Sequence, residues 1–207
     1  MNIKNIISPN RITFFRIILS FIILFILFLE DFWNPYLFLS LIWFLIIFNE
    51  LTDILDGYIA RKYGLISSIG KVLDPYADVL QHLTYFVFFF AKGITPYYFF
   101  VIFVYREISI GFLRNLIMQF NVVQPAKFSG KLKSLFYAIA TFASLFLYTL
   151  DKLKVTLLLD RFMSSILNLN FTFSFVVGMI YAISASLTII SFIDYIVIFL
   201  DLKKYEK

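Results

Sequence analysis

The chain has 207 residues, of which 61% are apolar and 28 are phenylalanine, with a formal net charge of +5 and no cysteine. A soluble core of this size does not need so much apolar surface, whereas each bilayer crossing demands about 20 apolar residues. The composition points to one integral membrane domain without disulfides or thiolate metal sites, its basic excess serving topology and anionic head groups rather than nucleic acid.

Met1 to Ser8 carries Ile3, Ile6 and Ile7 at helical spacing with Lys4 opposite, and Pro9 then interrupts the pattern. Residues 1–10 are expected to form a short helix lying on the membrane surface. No small-residue cleavage site follows the next apolar run, so the segment is not read as a cleavable signal peptide. Apolar spans are expected at about 12–29, 35–60, 69–91, 97–120, 132–150 and 171–200, separated by polar or Gly/Pro-bearing turns. The predicted fold is all-α and polytopic: six transmembrane helices plus the interfacial helix, in a single domain over 1–207.

Lysine and arginine placement sets the orientation. One side receives Lys4, Arg11, Arg61, Lys62, Lys71, Lys127, Lys131, Lys133, Lys203, Lys204 and Lys207; the other receives only Lys92, Lys152, Lys154 and Arg161. The richer side is expected to be cytoplasmic, with both termini on it, in a cell's inner (cytoplasmic) membrane.

Of the 13 acidic residues, four fall in one pattern between apolar runs: Asp53-x-x-Asp56-Gly57-x-x-Ala60-Arg61, then Gly70-x-x-x-Asp74-x-x-x-Asp78. At 3.6 residues per turn, Asp53, Asp56, Gly57 and Ala60 share one helix face, while Gly70, Asp74 and Asp78 form a stripe on the next helix. Carboxylates on two helices joined by a short loop can converge on a metal, and oxygen ligands suit Mg²⁺ or Mn²⁺. Two such ions clamp the attacking and leaving oxygens of a phosphoryl displacement. Gly57 and Ala60 remove side-chain bulk where a phosphorylated ligand would approach the backbone, and Arg61 can neutralise a phosphate.

Charges inside spans cost roughly 2.5–3.5 kcal/mol each on insertion scales and are functional by default. Arg16, Glu50, Arg106, Glu107 and Arg114 are of this kind. Arg106 and Arg114, eight residues apart, fall on nearly one face, and Lys131 and Lys133 open the fifth span, so these four cations read as an anion pocket. His82 reads as a packing residue, and Asn49, Glu50, Asp194 and Tyr195 as supports of the aspartate cluster.

The Asp53–Asp78 pattern, at all eight positions and all spacings, resembles the signature of the CDP-alcohol phosphatidyltransferase family. Pro9-Asn10, Thr13 and Arg16 resemble that family's P-N-x-x-T-x-x-R start. Arg106-Glu107, Leu113-Arg114 and Gly130-Lys131-x-Lys133-Ser134 are similar to elements of its phosphatidylglycerophosphate synthase branch, from which Val79 and Ser134 depart where Lys and Thr are usual. The resemblance implies a six-helix homodimeric membrane enzyme with a cytoplasm-facing site. It implies that Asp53, Asp56, Asp74 and Asp78 bind two divalent metals and that Asp78 is the general base. It further implies that Asp56, Gly57, Ala60, Arg61 and Gly70 hold the cytidine diphosphate, with Asn10, Thr13 and Arg16 in support. Arg106, Arg114, Lys131 and Lys133 would take the phosphate of the acceptor.

The expected reaction transfers the phosphatidyl group from CDP-diacylglycerol to sn-glycerol 3-phosphate. The alternatives are the same chemistry on inositol phosphate, serine or phosphatidylglycerol, an intramembrane prenyltransferase, or an ion transporter. Gly57 sits where the prenyltransferase motif needs a carboxylate. A transporter needs neither the Gly-x-x-Ala-Arg insert nor a separate cationic pocket.

Overall fold

The computed structural model describes residues 9–63, 70–119, 128–154 and 169–204. These form six α-helices: α1 (Pro9–Phe28), α2 (Pro35–Tyr63), α3 (Gly70–Ala91), α4 (Tyr97–Gln119), α5 (Phe128–Lys152) and α6 (Leu169–Lys204), with a 3₁₀ turn at Glu30–Phe32. The all-α expectation holds. Four of the helices are long and apolar enough to cross a bilayer: α1, α2, α5 and α6. In α3 and α4 the apolar runs are broken by Asp74, Asp78, Gln81 and His82, and by Arg106, Glu107 and Arg114. Pro9 and Asn10, expected to close the surface helix, instead open α1, because proline is suited to a helix's first turn. The rest of the expected surface helix, residues 1–8, lies outside the described residues.

Helix ends follow from local chemistry. Pro35 opens α2, and the Asn34 side chain accepts the Tyr36 backbone N–H at 3.0 Å as an N-cap. At the end of α3, Gly93 adopts φ +73°, the left-handed conformation glycine favours. The Gly93 N–H donates to Phe90 O and the Ile94 N–H to Phe89 O, both at 2.9 Å, closing the helix with a Schellman motif. Pro75 removes a helical N–H from the turn that carries Asp74 and Asp78.

The chain divides into two compact units, Met1–Phe88 and Phe89–Lys207. In the first, α1 packs along α2. Thr13, Arg16, Ser20, Ile23 and Leu27 recur every three or four residues on α1, and all are buried. Phe38, Ile42, Ile46 and Asn49 make the buried stripe of α2. Outside these stripes the same helices expose large apolar groups: Phe25 is 64% exposed while Arg16 is 1% exposed. Polar side chains inside and phenylalanine outside is the arrangement a bilayer imposes.

In the second unit α6 packs along both α4 and α5. Its core joins these helices through hydroxyls as well as rings. Tyr181 receives the Thr95 hydroxyl at 2.7 Å and pairs with Ser144 at 2.8 Å, while Thr188 donates to the Tyr137 hydroxyl at 3.0 Å. Tyr181→Phe strips two buried hydroxyls of this partner and is expected to lower stability by about 1–3 kcal/mol. Unfolding of the detergent-solubilised protein checks this; an unchanged midpoint would refute it.

Candidate functional site

The first charge cluster is built around a cation. Arg16, one turn along α1 from Thr13, is buried, and its guanidinium reaches two other helices. Nη1 pairs with Asp53 Oδ1 of α2 at 2.6 Å, and Nη2 with Asp78 Oδ1 of α3 at 2.8 Å. Nη2 also donates to Gln81 Oε1 at 3.2 Å, and Gln81 Nε2 donates to Glu50 Oε1 at 2.7 Å. The Thr13 hydroxyl donates to Asp74 Oδ1 at 2.8 Å. One face of α1 thus holds three of the four aspartates.

Helical spacing explains the placement. Thr13 and Arg16 are one turn apart on α1, as Asp74 and Asp78 are on α3, so the two pairs meet in register. Asp53 and Asp78 are about half-exposed, with side-chain accessibilities of 42% and 44%, whereas the arginine beneath them is at 1%. The carboxylates are therefore open to solvent on one side and held on the other by a buried positive charge. Below them Asn49 donates to the Tyr85 hydroxyl at 3.0 Å, and Thr52 donates to Asn49 O at 2.7 Å. His82 is buried with its ring stacked on Phe86, in keeping with a packing role.

The described residues bring some of the aspartates together and leave other parts of the pattern outside. Asp53 and Asp78 are brought together, and Asp74 is anchored beside them through Thr13. Gly57 lies on α2 and Gly70 opens α3. The side chains of Asp56, Ala60 and Arg61 lie outside the described residues, and Asn10 is half-buried in the first turn of α1. Among the described residues no three acidic or histidine side chains group closely enough to hold a metal ion. In donor type alone the set suits a hard divalent cation, its three half-exposed or exposed members, Asp53, Asp74 and Asp78, being carboxylates.

The second cluster lies in the other unit. Arg106 Nη1 donates to both carboxylate oxygens of Glu107, at 2.9 and 3.0 Å, and Nη2 donates to the Ser191 hydroxyl at 2.8 Å. Lys133 Nζ meets Glu107 Oε1 at 2.7 Å and lies 4.5 Å from the centre of the Tyr137 ring. Arg114 donates to the Tyr195 hydroxyl at 3.2 Å and lies over that ring. Lys131 is exposed. Of the four cations read as one pocket, the structure pairs Arg106 with Lys133 through Glu107 and sets Arg114 on Tyr195.

Sequence reasoning missed Gln81 and Ser191, and it left Glu107 without a role. Gln81 had a signal, standing three residues after Asp78 on the same face. Ser191 had none. Within their own unit, Asp194 accepts from the Ser129 hydroxyl and the Tyr195 hydroxyl accepts from Arg114.

Residues 6–190, which contain the aspartate cluster and the charged residues Arg106, Glu107, Arg114 and Lys133, match the CDP-alcohol phosphatidyltransferase family. The chain belongs to that family. Among known proteins it is 42% identical over 106 residues to a Treponema pallidum relative, covering 51% of this chain and 49% of that protein. It is 33% identical over 101 residues to one from Bacillus subtilis, covering 49% of this chain and 52% of that protein. A Mycoplasma genitalium relative is 27% identical over 164 residues, covering 79% of this chain and 66% of that protein. All three carry the name CDP-diacylglycerol–glycerol-3-phosphate 3-phosphatidyltransferase. The matches to the first two span about half the length of those relatives.

Removing the cation beneath the family's aspartates tests its structural role. Arg16→Met is expected to lower stability by about 1.5–3 kcal/mol, the range for hydrogen bonds to charged groups. Arg16→Lys, which keeps the charge but loses the planar fork, recovers only part of it. Unfolding of the solubilised protein reads both; equal stability of all three proteins would contradict the assignment.

Proposed function

We propose that the protein transfers the phosphatidyl group of CDP-diacylglycerol to sn-glycerol 3-phosphate, forming phosphatidylglycerophosphate and CMP in phospholipid biosynthesis. Within the family, the observation that carries this choice of acceptor is the buried pairing of Arg106 with Lys133. Cations held away from the aspartates call for an anionic acceptor. A net-neutral acceptor such as serine brings no phosphate for those cations to hold. The names of the relatives support the same reading.

The residues take the following parts. Asp56, Gly57, Ala60, Arg61 and Gly70 hold the cytidine diphosphate, the small residues letting its phosphates approach the backbone. Asp53, Asp56, Asp74 and Asp78 would hold two Mg²⁺ or Mn²⁺ ions, which when bound neutralise charge on the diphosphate and on departing CMP. Asp78, its Oδ1 fixed by Arg16, accepts the proton of the acceptor's 1-hydroxyl. That oxygen forms a bond to the phosphorus bearing the diacylglycerol, and the bond from this phosphorus to CMP breaks. Arg106, Arg114, Lys131 and Lys133 receive the acceptor's phosphate, with Asn10, Thr13 and Arg16 supporting the aspartates.

The same reading makes all six helices transmembrane, since α3 and α4 run 22 and 23 residues, about 33 Å at 1.5 Å per residue. Lysine and arginine placement puts both termini and the site on the cytoplasmic face of the cell's inner membrane. The working form is a homodimer.

Purified protein given CDP-diacylglycerol and a divalent metal is expected to release CMP with sn-glycerol 3-phosphate and not with serine, inositol phosphate or phosphatidylglycerol. A chelator should abolish release. Asp78→Asn should lower kcat by about 10²–10⁴-fold, the usual worth of a general base. CMP release with another acceptor alone would overturn the substrate, and near-normal kcat in Asp78→Asn would overturn the base.

A further inference from the structure

Glu107 is an anion at the centre of a cluster whose expected task is to bind an anion. It is buried, as are Arg106 and Lys133. Arg106 and Glu107 are consecutive on α4, so their side chains leave the helix roughly 100° apart. They nevertheless meet, with Nη1 contacting both carboxylate oxygens. Lys133 arrives from α5 and shares Oε1 with that guanidinium. Two cations on different helices are thus joined through one oxygen, which offsets the like-charge repulsion they would otherwise feel in a low-dielectric interior.

We propose that Glu107 is a positioning residue for the acceptor's phosphate: it fixes Arg106 of α4 and Lys133 of α5 side by side as a preset pair of donors. The inference rests on the acceptor reading above. Two features separate it from simple neutralisation. First, Arg106 and Lys133 are both drawn onto one carboxylate, which sets two cations side by side, the arrangement a phosphate monoester suits. Second, Arg106 Nε is buried with no hydrogen-bond partner among the described residues. A donor in that state gains from an oxygen brought by a ligand. The remaining contacts hold the cations in place: Ser191 accepts from Arg106 Nη2, and the Tyr137 ring lies beside Lys133.

The test compares wild type, Glu107→Gln and Glu107→Asp as full-length protein in detergent. Glu107→Gln keeps the shape but removes the charge that gathers the two cations; Glu107→Asp keeps the charge on a shorter arm. The first readout is stabilisation by inorganic phosphate against chloride of equal ionic strength, which needs no turnover. Wild type should gain in Tm, Glu107→Gln should lose that gain, and Glu107→Asp should keep part of it. The second readout is the KM for glycerol 3-phosphate. It should rise about tenfold in Glu107→Gln, the factor of one lost charge-assisted hydrogen bond, while the KM for CDP-diacylglycerol stays within about twofold. Glu107→Asp should lie between.

A counter-charge role predicts the opposite sign. If Glu107→Gln bound inorganic phosphate more tightly, or lowered the acceptor's KM, the positioning role would be overturned. Equal losses for both substrates with a fall in basal Tm, and no rescue by Glu107→Asp, would make Glu107 a structural ion pair and overturn it too. Absence of phosphate stabilisation in wild type would remove the pocket itself. Phosphate stabilisation that depends on Glu107, without CMP release on glycerol 3-phosphate, would support the positioning role and refute only the acceptor.

Discussion

A single buried guanidinium carries the aspartate site. Arg16 would be costly inside a membrane by itself, and so would carboxylates on the helices around it. Together they offset one another, with Arg16 reaching Asp53 on α2 and Asp78 on α3. The planar fork matters, since its two terminal nitrogens address two helices at once where an ammonium would act as a point charge. Thr13 repeats the device one turn away with a hydroxyl, taking Asp74. The aspartates that would meet metals and nucleotide are therefore positioned by α1, a helix that contributes no carboxylate of its own to them.

The second unit solves the same physical problem with the signs reversed. There a buried carboxylate, Glu107, gathers two cations, and the rest of the interior is joined by hydroxyl pairs centred on Tyr137 and Tyr181. In lipid the contrast between helix surface and solvent is weak, so polar contacts and close packing must specify which helices pair. The exposed faces carry phenylalanine, isoleucine and leucine, and the specifying chemistry lies inside.

Most of this architecture was legible as lengths and periods. Runs of apolar residues gave the helices, and Asn34–Pro35 and Gly93 marked a start and a stop through chemistry local to a few residues. The aspartate stripes followed from 3.6-residue periodicity, and the eight fixed positions from Asp53 to Asp78 carried the family. Starts of helices were less legible: α5 opens at Phe128, ahead of the run expected from 132, because Ser129 and Lys131 interrupt its hydropathy without interrupting its backbone. What spacing cannot contain is which distant side chains meet. Arg16 read only as a support, 37 and 62 positions in sequence from the aspartates it joins. Glu107 read as one charge among several, and the contacts of Asp194 with Ser129 and of Tyr195 with Arg114 were not foreseen. Each of these depends on helix packing, which local sequence does not encode.

The central claim is that Arg16 and the aspartates act as one unit, and a double-mutant cycle measures this directly. Unfolding free energies of wild type, Arg16→Met, Asp53→Asn and the double variant should be non-additive, with a coupling of about 0.5–3 kcal/mol, as expected for residues in one ion-pair network. Strict additivity of the two single changes would show that the buried arginine and the aspartate are independent, and would contradict the account.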